Sequence, residues 1–256
     1  MCVFVLPGVN FAEAPQPAGS DSAWYCICCH VRLWGVMLLG LTIDLVSKHL
    51  AFRYLPASGR VSIIEGIVSL DRSLNLGALF GIGKGMTGVF ILASVAAVAF
   101  VLYMFWTSRR GQWVTHVGLA LVLAGALGNL YDRLFVHVDV VSKDGVTQFI
   151  GVLTPEQKPG TVRLGHYPGA SGIPQQFSLR PRADGKPLYE LETGRSAVRD
   201  FIRVDISLNT RWTGKLPVWP WIFNVADSML VVGVSLLLII YWRHPAASGR
   251  SGKGSV

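Results

Sequence analysis

The chain has 256 residues, of which 51% are hydrophobic and only 15% charged, with a mean hydropathy of +0.45. That balance excludes an ordinary soluble globular domain and points to a polytopic membrane protein. The formal charge of +8 does not mark a nucleic-acid surface, because the cations near the apolar runs lie in short flanks whose placement sets membrane orientation.

Residues 1–23 contain Glu13, Asp21 and three prolines, with no basic start before an apolar core, so they do not read as a cleaved signal peptide. The first apolar run, 33–52, is expected to act as an uncleaved anchor. Cys2, Cys26, Cys28 and Cys29 all precede it, and the single Cys26/Cys29 pair is a weak metal signal without a second pair or nearby histidines. In the loop Arg53–Gly85, the stretch Val61–Asn75 partly alternates apolar and polar residues, which favours strands. The second run, 86–106, is followed by a short connection with Arg109 and Arg110. The third, 113–131, ends in Gly-Asn-Leu-Tyr-Asp-Arg. The long loop Arg133–Val218 changes character over Thr154–Gly194, where Gly, Pro, Gln and mixed charge predict strands and turns or partial disorder. The fourth run is 219–242.

Each run is near the ~20 residues that a helix needs to cross the ~30 Å hydrocarbon layer. The expected fold is therefore an all-α polytopic membrane protein: four transmembrane helices, a small extracytoplasmic β-rich element and an inserted extracytoplasmic loop. Arg109 and Arg110, with Arg243, Arg250 and Lys253 after the fourth helix, place both termini on the cytoplasmic side.

With this topology the polar residues of the helices fall at one depth. Asp44 and Lys48, four apart on the first helix, share a face; Asn129, Asp132 and Arg133 end the third. Asn224 and Asp227, three apart, open the fourth. Asp44 with Lys48 reads as a structural ion pair, and Asp132 beside Arg133 allows the same reading. Asn129 and Asn224 could bond neighbouring helices. Asp227 has no cationic residue one helical turn away in the sequence, and a carboxylate inside an apolar run is costly, so it reads as functional.

Five blocks then resemble one family, signal peptidase II, the lipoprotein signal peptidases. They are Asp44-Leu-Val-Ser-Lys48, the run from Asn75 to Gly81, the run from Gly125 to Arg133, Val198-Arg-Asp200-Phe-Ile202, and Phe223-Asn-Val-Ala-Asp227. The resemblance implies a membrane aspartic endopeptidase that cuts diacylglyceryl-modified prolipoproteins just before the lipidated cysteine. It implies catalytic aspartates at Asp200 and Asp227, with Asn75, Asn129, Asp132, Arg133 and Asn224 in support and Asp44 and Lys48 as structural polar residues. No metal or other cofactor is required. The expected partners are the lipidated substrates and membrane lipids, with a monomer as the simplest state.

The chemistry follows from the residues: an ionised carboxylate takes a proton from water while a protonated one polarises the scissile carbonyl. Two carboxylates in a low-dielectric site resist double ionisation and hold one proton between them. In typical members the first catalytic aspartate stands soon after the Asp-Arg of the third helix, whereas Asp200 lies well downstream, which implies an insertion over 134–197 within a single membrane domain spanning 1–256. Asp139, in Phe-Val-His-Val-Asp, competes by position; Asp200 is preferred because Asp-Phe-Ile matches the family block.

Rival readings are weaker. Ser47 and Lys48 are adjacent and point to different helix faces, which disfavours a Ser-Lys protease. A small proton-coupled transporter or channel subunit would use intramembrane carboxylates, but needs polar residues along the whole helix depth. The histidines are scattered and are given no role.

Overall fold

A computed structural model describes residues 21–77, 87–155, 158–181, 187–210 and 214–243. Cys2, Ala78 to Gly81 of the second block, Arg250 and Lys253 lie outside these residues. Four helices are described: α1 (Ile27–Tyr54), α2 (Thr87–Thr107), α3 (Trp113–Phe135) and α4 (Val225–Arg243).

Three helical stretches are long and apolar enough to cross a membrane, Ile27–Tyr54, Trp113–Phe135 and Val225–Trp242, while the apolar stretch Ile91–Thr107 is shorter. The four spans expected thus become three among the described residues. The apolar window of α4 is only 17% buried within the protein, against 67% for α3. Val231, Val232, Leu238 and Ile239 stand exposed, a surface suited to lipid rather than water. α4 also starts later than its apolar run: Pro217 and Pro220 disfavour helix before it. Residues Ile222–Phe223 form a strand instead.

The all-α expectation is overturned. The protein is mixed α/β, with three sheets among the described residues. The strands, in chain order, are β1 (Val61–Ile64), β2 (Val68–Asn75), β3 (His137–Lys143), β4 (Val146–Leu153), β5 (Thr161–His166), β6 (Ser171–Ser178), β7 (Glu190–Ser196), β8 (Val198–Val204), β9 (Ser207–Thr210), β10 (Gly214–Pro217) and β11 (Ile222–Phe223). The first loop, where strands were expected, contributes the antiparallel pair β1–β2. The stretch between α3 and β8, where an insertion was expected, contributes a whole sheet, because its short apolar alternations meet others distant in sequence and bury a shared core.

The chain divides into two compact units. One comprises Met1–Thr42, Val95–Leu127 and Ala226–Val256, and its described residues are mainly helical. In it α3 and α4 approach closely through small residues: a Cβ at Gly125 would lie 2.5 Å from the Ala226 carbonyl oxygen, and one at Gly233 would lie 2.8 Å from that of Gly118. At one end His116 is fully buried, with Nε2 2.9 Å from Ser108 Oγ and Nδ1 3.3 Å from Arg32 Nη1. Its ring packs edge-on against Phe105.

The other unit comprises Ile43–Ser94 and Gly128–Val225. One antiparallel sheet has the order β1-β2-β8-β11 and a second has the order β6-β5-β4-β3-β7; β9 and β10 form a separate hairpin. Phe52 and Ala51 at the end of α1 pack on Phe201 of β8, with Leu70 and Leu74 around them. The insertion sheet has its own core of Val141, Val162 and Leu164, covered by Phe149 and Phe177. Its first and last strands are neighbours, with His137 opposite Ser196. The chain therefore leaves α3, builds the sheet and returns beside its point of departure, directly before β8.

Candidate active site

Strand β8 reads Val-Arg-Asp-Phe-Ile-Arg-Val, and its first four residues are buried. β2 and β11 flank it as sheet neighbours and pair its edges, with Ser73 opposite Asp200 and Phe223 opposite Ile202, while Ala51 and Phe52 of α1 pack on its Phe201. This pairing carries two amides to Asp200. Asn75 donates from Nδ2 to Oδ2 at 3.1 Å, and Asn224 donates from Nδ2 to Oδ1 at 2.6 Å. The Gly77 N–H donates to Asn75 Oδ1 at 3.1 Å, which turns the Asn75 nitrogen towards the carboxylate. Asp200 itself is only 2% exposed.

Asn224 also donates to Asn129 Oδ1 at 3.2 Å, and Lys48 Nζ donates to the same oxygen at 3.2 Å. Lys48 is fully buried and bridges Asp44 at 2.8 Å and Asp132 at 3.4 Å. Asp132 in turn accepts from Arg199: the Nη2 and Nε groups reach Oδ1 at 2.6 and 3.1 Å, and the Arg199 backbone N–H reaches Oδ2 at 2.9 Å. One connected network thus runs from Asp44 through Lys48 to Asp132 and Arg199, and through Asn129 and Asn224 to Asp200 and Asn75. Each ion in it has a partner, as burial of charge demands.

The pairing of Asp132 differs from the neighbour-based reading. Arg133 donates back along its own helix to the Asn129 carbonyl at 3.4 Å, because adjacent helical residues point to different faces. Arg199, given no role from the sequence, is the arginine that holds Asp132. Its block flagged Asp200, but no sequence rule pairs residues so far apart.

Asp139 lies in β3, where Oδ2 accepts the Leu153 N–H at 2.9 Å and Oδ1 accepts the Gly194 N–H at 3.1 Å. It bridges main-chain donors on β4 and β7, which is a sheet-closing role. Asp227 is half-buried in the first turn of α4, where the unsatisfied N–H groups of a helix start favour a carboxylate. Among the described residues no group of three or more His, Cys, Asp or Glu side chains is arranged to hold a metal.

The sequence profile of signal peptidase II matches residues 36–243. The lipoprotein signal peptidase of Rhodopirellula baltica is 29% identical over 233 residues, which cover 89% of this chain and 79% of the relative. That of Desulfitobacterium hafniense is 27% identical over 208 residues, covering 81% and 91%. A solved bacterial membrane enzyme superposes with a TM-score of 0.53 at 16% identity, covering 92% of this chain and 97% of the other, and so shares the fold. The profile covers all five sequence blocks in order, and the chain belongs to the signal peptidase II family.

Proposed function

We propose that Asp200 and Asp227 are the catalytic carboxylates with which this enzyme works. The family match makes the chain a membrane protease that removes signal peptides from prolipoproteins. The transporter or channel reading gains nothing from that match. The observation that carries the assignment of Asp200 is its setting: a buried carboxylate with an amide N–H on each oxygen. Asp139 bonds instead to backbone groups of its own sheet. Asp227 follows Asn224 by three residues in the sequence and matches the second catalytic block.

In the proposed reaction the pair holds one proton. The ionised carboxylate takes a proton from water, the resulting hydroxyl attacks the scissile carbonyl carbon, and the protonated carboxyl hydrogen-bonds the carbonyl oxygen. Collapse of the tetrahedral intermediate breaks the C–N bond and returns a proton to the leaving amine. That amine belongs to the diacylglyceryl-modified cysteine. Asn75 and Asn224 orient Asp200, while the Lys48–Asp132–Arg199 chain fixes α1, α3 and β8 around Asn129. The enzyme works as a monomer with both termini cytoplasmic and the site near the extracytoplasmic face, where a lipid-anchored substrate arrives sideways. It forms one membrane domain with 134–197 as an insertion.

The test is cleavage of a diacylglyceryl prolipoprotein by purified Asp200→Asn, Asp227→Asn and Asp139→Asn. The first two lose cleavage and the third retains it. Full activity of Asp227→Asn, or loss in Asp139→Asn alone, overturns the assignment.

A further inference from the structure

A cavity of about 330 Å³ lies in the β-rich unit and includes Ser73, the residue opposite Asp200 in the β2–β8 ladder, in its lining. Its walls come from the end of α1 (Phe52), from β2 (Arg72 and Ser73) and from the insertion (Gln148, His166 and Tyr167). It is thus half made by the segment that sets this chain apart from shorter relatives. The lining contains no Asp or Glu.

Arg72 is the unusual residue there. Its guanidinium carbon sits 5.1 Å from the centre of the Phe52 ring, and Nη1 and Nη2 donate to the carbonyls of Leu55 and Tyr167. Those bonds pin the group against the wall without neutralising it. Its Nε is buried with no hydrogen-bond partner. Among the described residues no carboxylate pairs with Arg72; the adjacent Asp71 pairs with Arg203. Burial pushes the Arg72 guanidinium below its ordinary value. A half-buried cation with donors to spare, facing an acid-free cavity, is complementary to an anion.

The location narrows the anion. α1 has 28 residues, about 42 Å at ~1.5 Å per residue, which exceeds the hydrocarbon layer and reaches the headgroup region. Phe52, in its last turn, therefore lies at headgroup depth. A monoanionic phosphodiester fits the single guanidinium, and Ser73, His166 and Gln148 add polar groups around it. The aromatic faces of Phe52 and Tyr167 suit the glycerol carbons.

We propose that this cavity binds the phosphodiester headgroup of an anionic phospholipid, with Arg72 as its charge partner and the insertion as its outer wall. Bound there, the lipid would fix the insertion sheet to the membrane surface. Neither catalytic aspartate lines the cavity, so its test reads lipid and not cleavage.

The experiment uses the full chain reconstituted in phosphatidylcholine vesicles with and without phosphatidylglycerol, then extracted in mild detergent for native mass spectrometry. The expected result is one retained phosphatidylglycerol, preferred over phosphatidylcholine by about tenfold or more, the ratio that one charge-assisted hydrogen bond supplies. Arg72→Gln loses that preference and Arg72→Lys keeps part of it. Equal retention of the two lipids by the unsubstituted protein, which needs no variant to fold, overturns the proposal. So does undiminished preference in Arg72→Gln. Inorganic phosphate added during extraction leaves the lipid bound; if it displaces the lipid at equal concentration, the ligand is free phosphate and the lipid assignment fails.

Discussion

The backbone N–H of Ala197 donates to the carbonyl of Val136 at 3.0 Å, and this one bond closes the mouth of the whole insertion. Beside it, Val138 faces Arg195 across β3 and β7. An excursion whose ends are hydrogen-bonded neighbours leaves the path from α3 to β8 as short as if the insertion were absent. Asn75 and Asn224, which bond Asp200, and Lys48 and Arg199, which bond Asp132, all lie outside the sheet that β3 to β7 form.

Excision of 139–194, with an Asn-Gly turn joining Val138 to Arg195, should therefore preserve cleavage to within about tenfold, since such a turn suits an antiparallel pair. Thermal unfolding in detergent should fall, because Val138 and Leu74 lose Ile150 and Tyr167 as packing partners. The same variant should lose phosphatidylglycerol retention. Complete loss of cleavage with helical content intact would show that the insertion serves the catalytic step.

Lys48 should be the residue least tolerant of substitution outside the catalytic pair. Lys48→Met leaves Asp44 and Asp132, both fully buried, without their shared ammonium. Breaking a buried pair in this way costs about 3–5 kcal/mol. The double variant Lys48→Met/Asp44→Leu should be more stable than Lys48→Met alone, because one of the stranded charges is gone. Thermal unfolding of both in the same micelle measures the difference, and additive losses would show that Asp44 is not coupled to Lys48.

How much of this was legible in the sequence depends on range. Asp44 with Lys48 was readable because four positions on a helix make two residues neighbours whatever the rest of the chain does. Asp132 with Arg199 was not, since their meeting depends on the insertion returning beside Val136, and adjacency drew attention to Arg133 instead. The sheets were under-read for a related cause. β7, Glu-Leu-Glu-Thr-Gly-Arg-Ser, and β6, which contains Pro174, carry little apolar alternation of their own. Their strand character comes from pairing with β3 and β5. The apolar run at 219–242 overshot its helix because Trp219 and Trp221 are hydrophobic whether or not the backbone is helical.

Asn224→Ala removes the 2.6 Å donor to Asp200 and the link to Asn129 together. A hydrogen bond to a charged group contributes about 1.5–3 kcal/mol, so kcat should fall by about ten- to a hundredfold. KM should move little if the amide positions Asp200 and does not bind substrate. A rise in KM at unchanged kcat would reassign Asn224 to substrate binding.

Close packing of α3 on α4 gives a sharper structural test. At Gly125 a Cβ would meet the Ala226 carbonyl oxygen at 2.5 Å and Leu230 Cγ at 2.7 Å, whereas at Gly35 nothing lies within 4 Å. Gly125→Ala must move backbone and should cost about 1–3 kcal/mol, while Gly35→Ala in α1 should be neutral or slightly stabilising through helix propensity. Equal unfolding temperatures for the two variants would mean that α3 and α4 are not held at this separation.

Membrane orientation can be read from Cys26, which precedes α1. Burial acts to raise its thiol, but hydrogen bonds from Cys29 and Cys28 and the charge of Arg110 outweigh that effect, so its pKa lies below the ordinary thiol value. The reactive species is the thiolate, and a lowered pKa keeps that form present further down the pH scale. In a variant lacking Cys2 and Cys28, alkylation of Cys26 by a membrane-impermeant maleimide should persist at lower pH in the folded protein than after denaturation. Cys29, only 1% exposed, should react slowly. With the termini cytoplasmic, labelling should occur in inverted vesicles and not in intact spheroplasts. Labelling of spheroplasts alone would reverse the topology and place the Asp200 cluster on the cytoplasmic side.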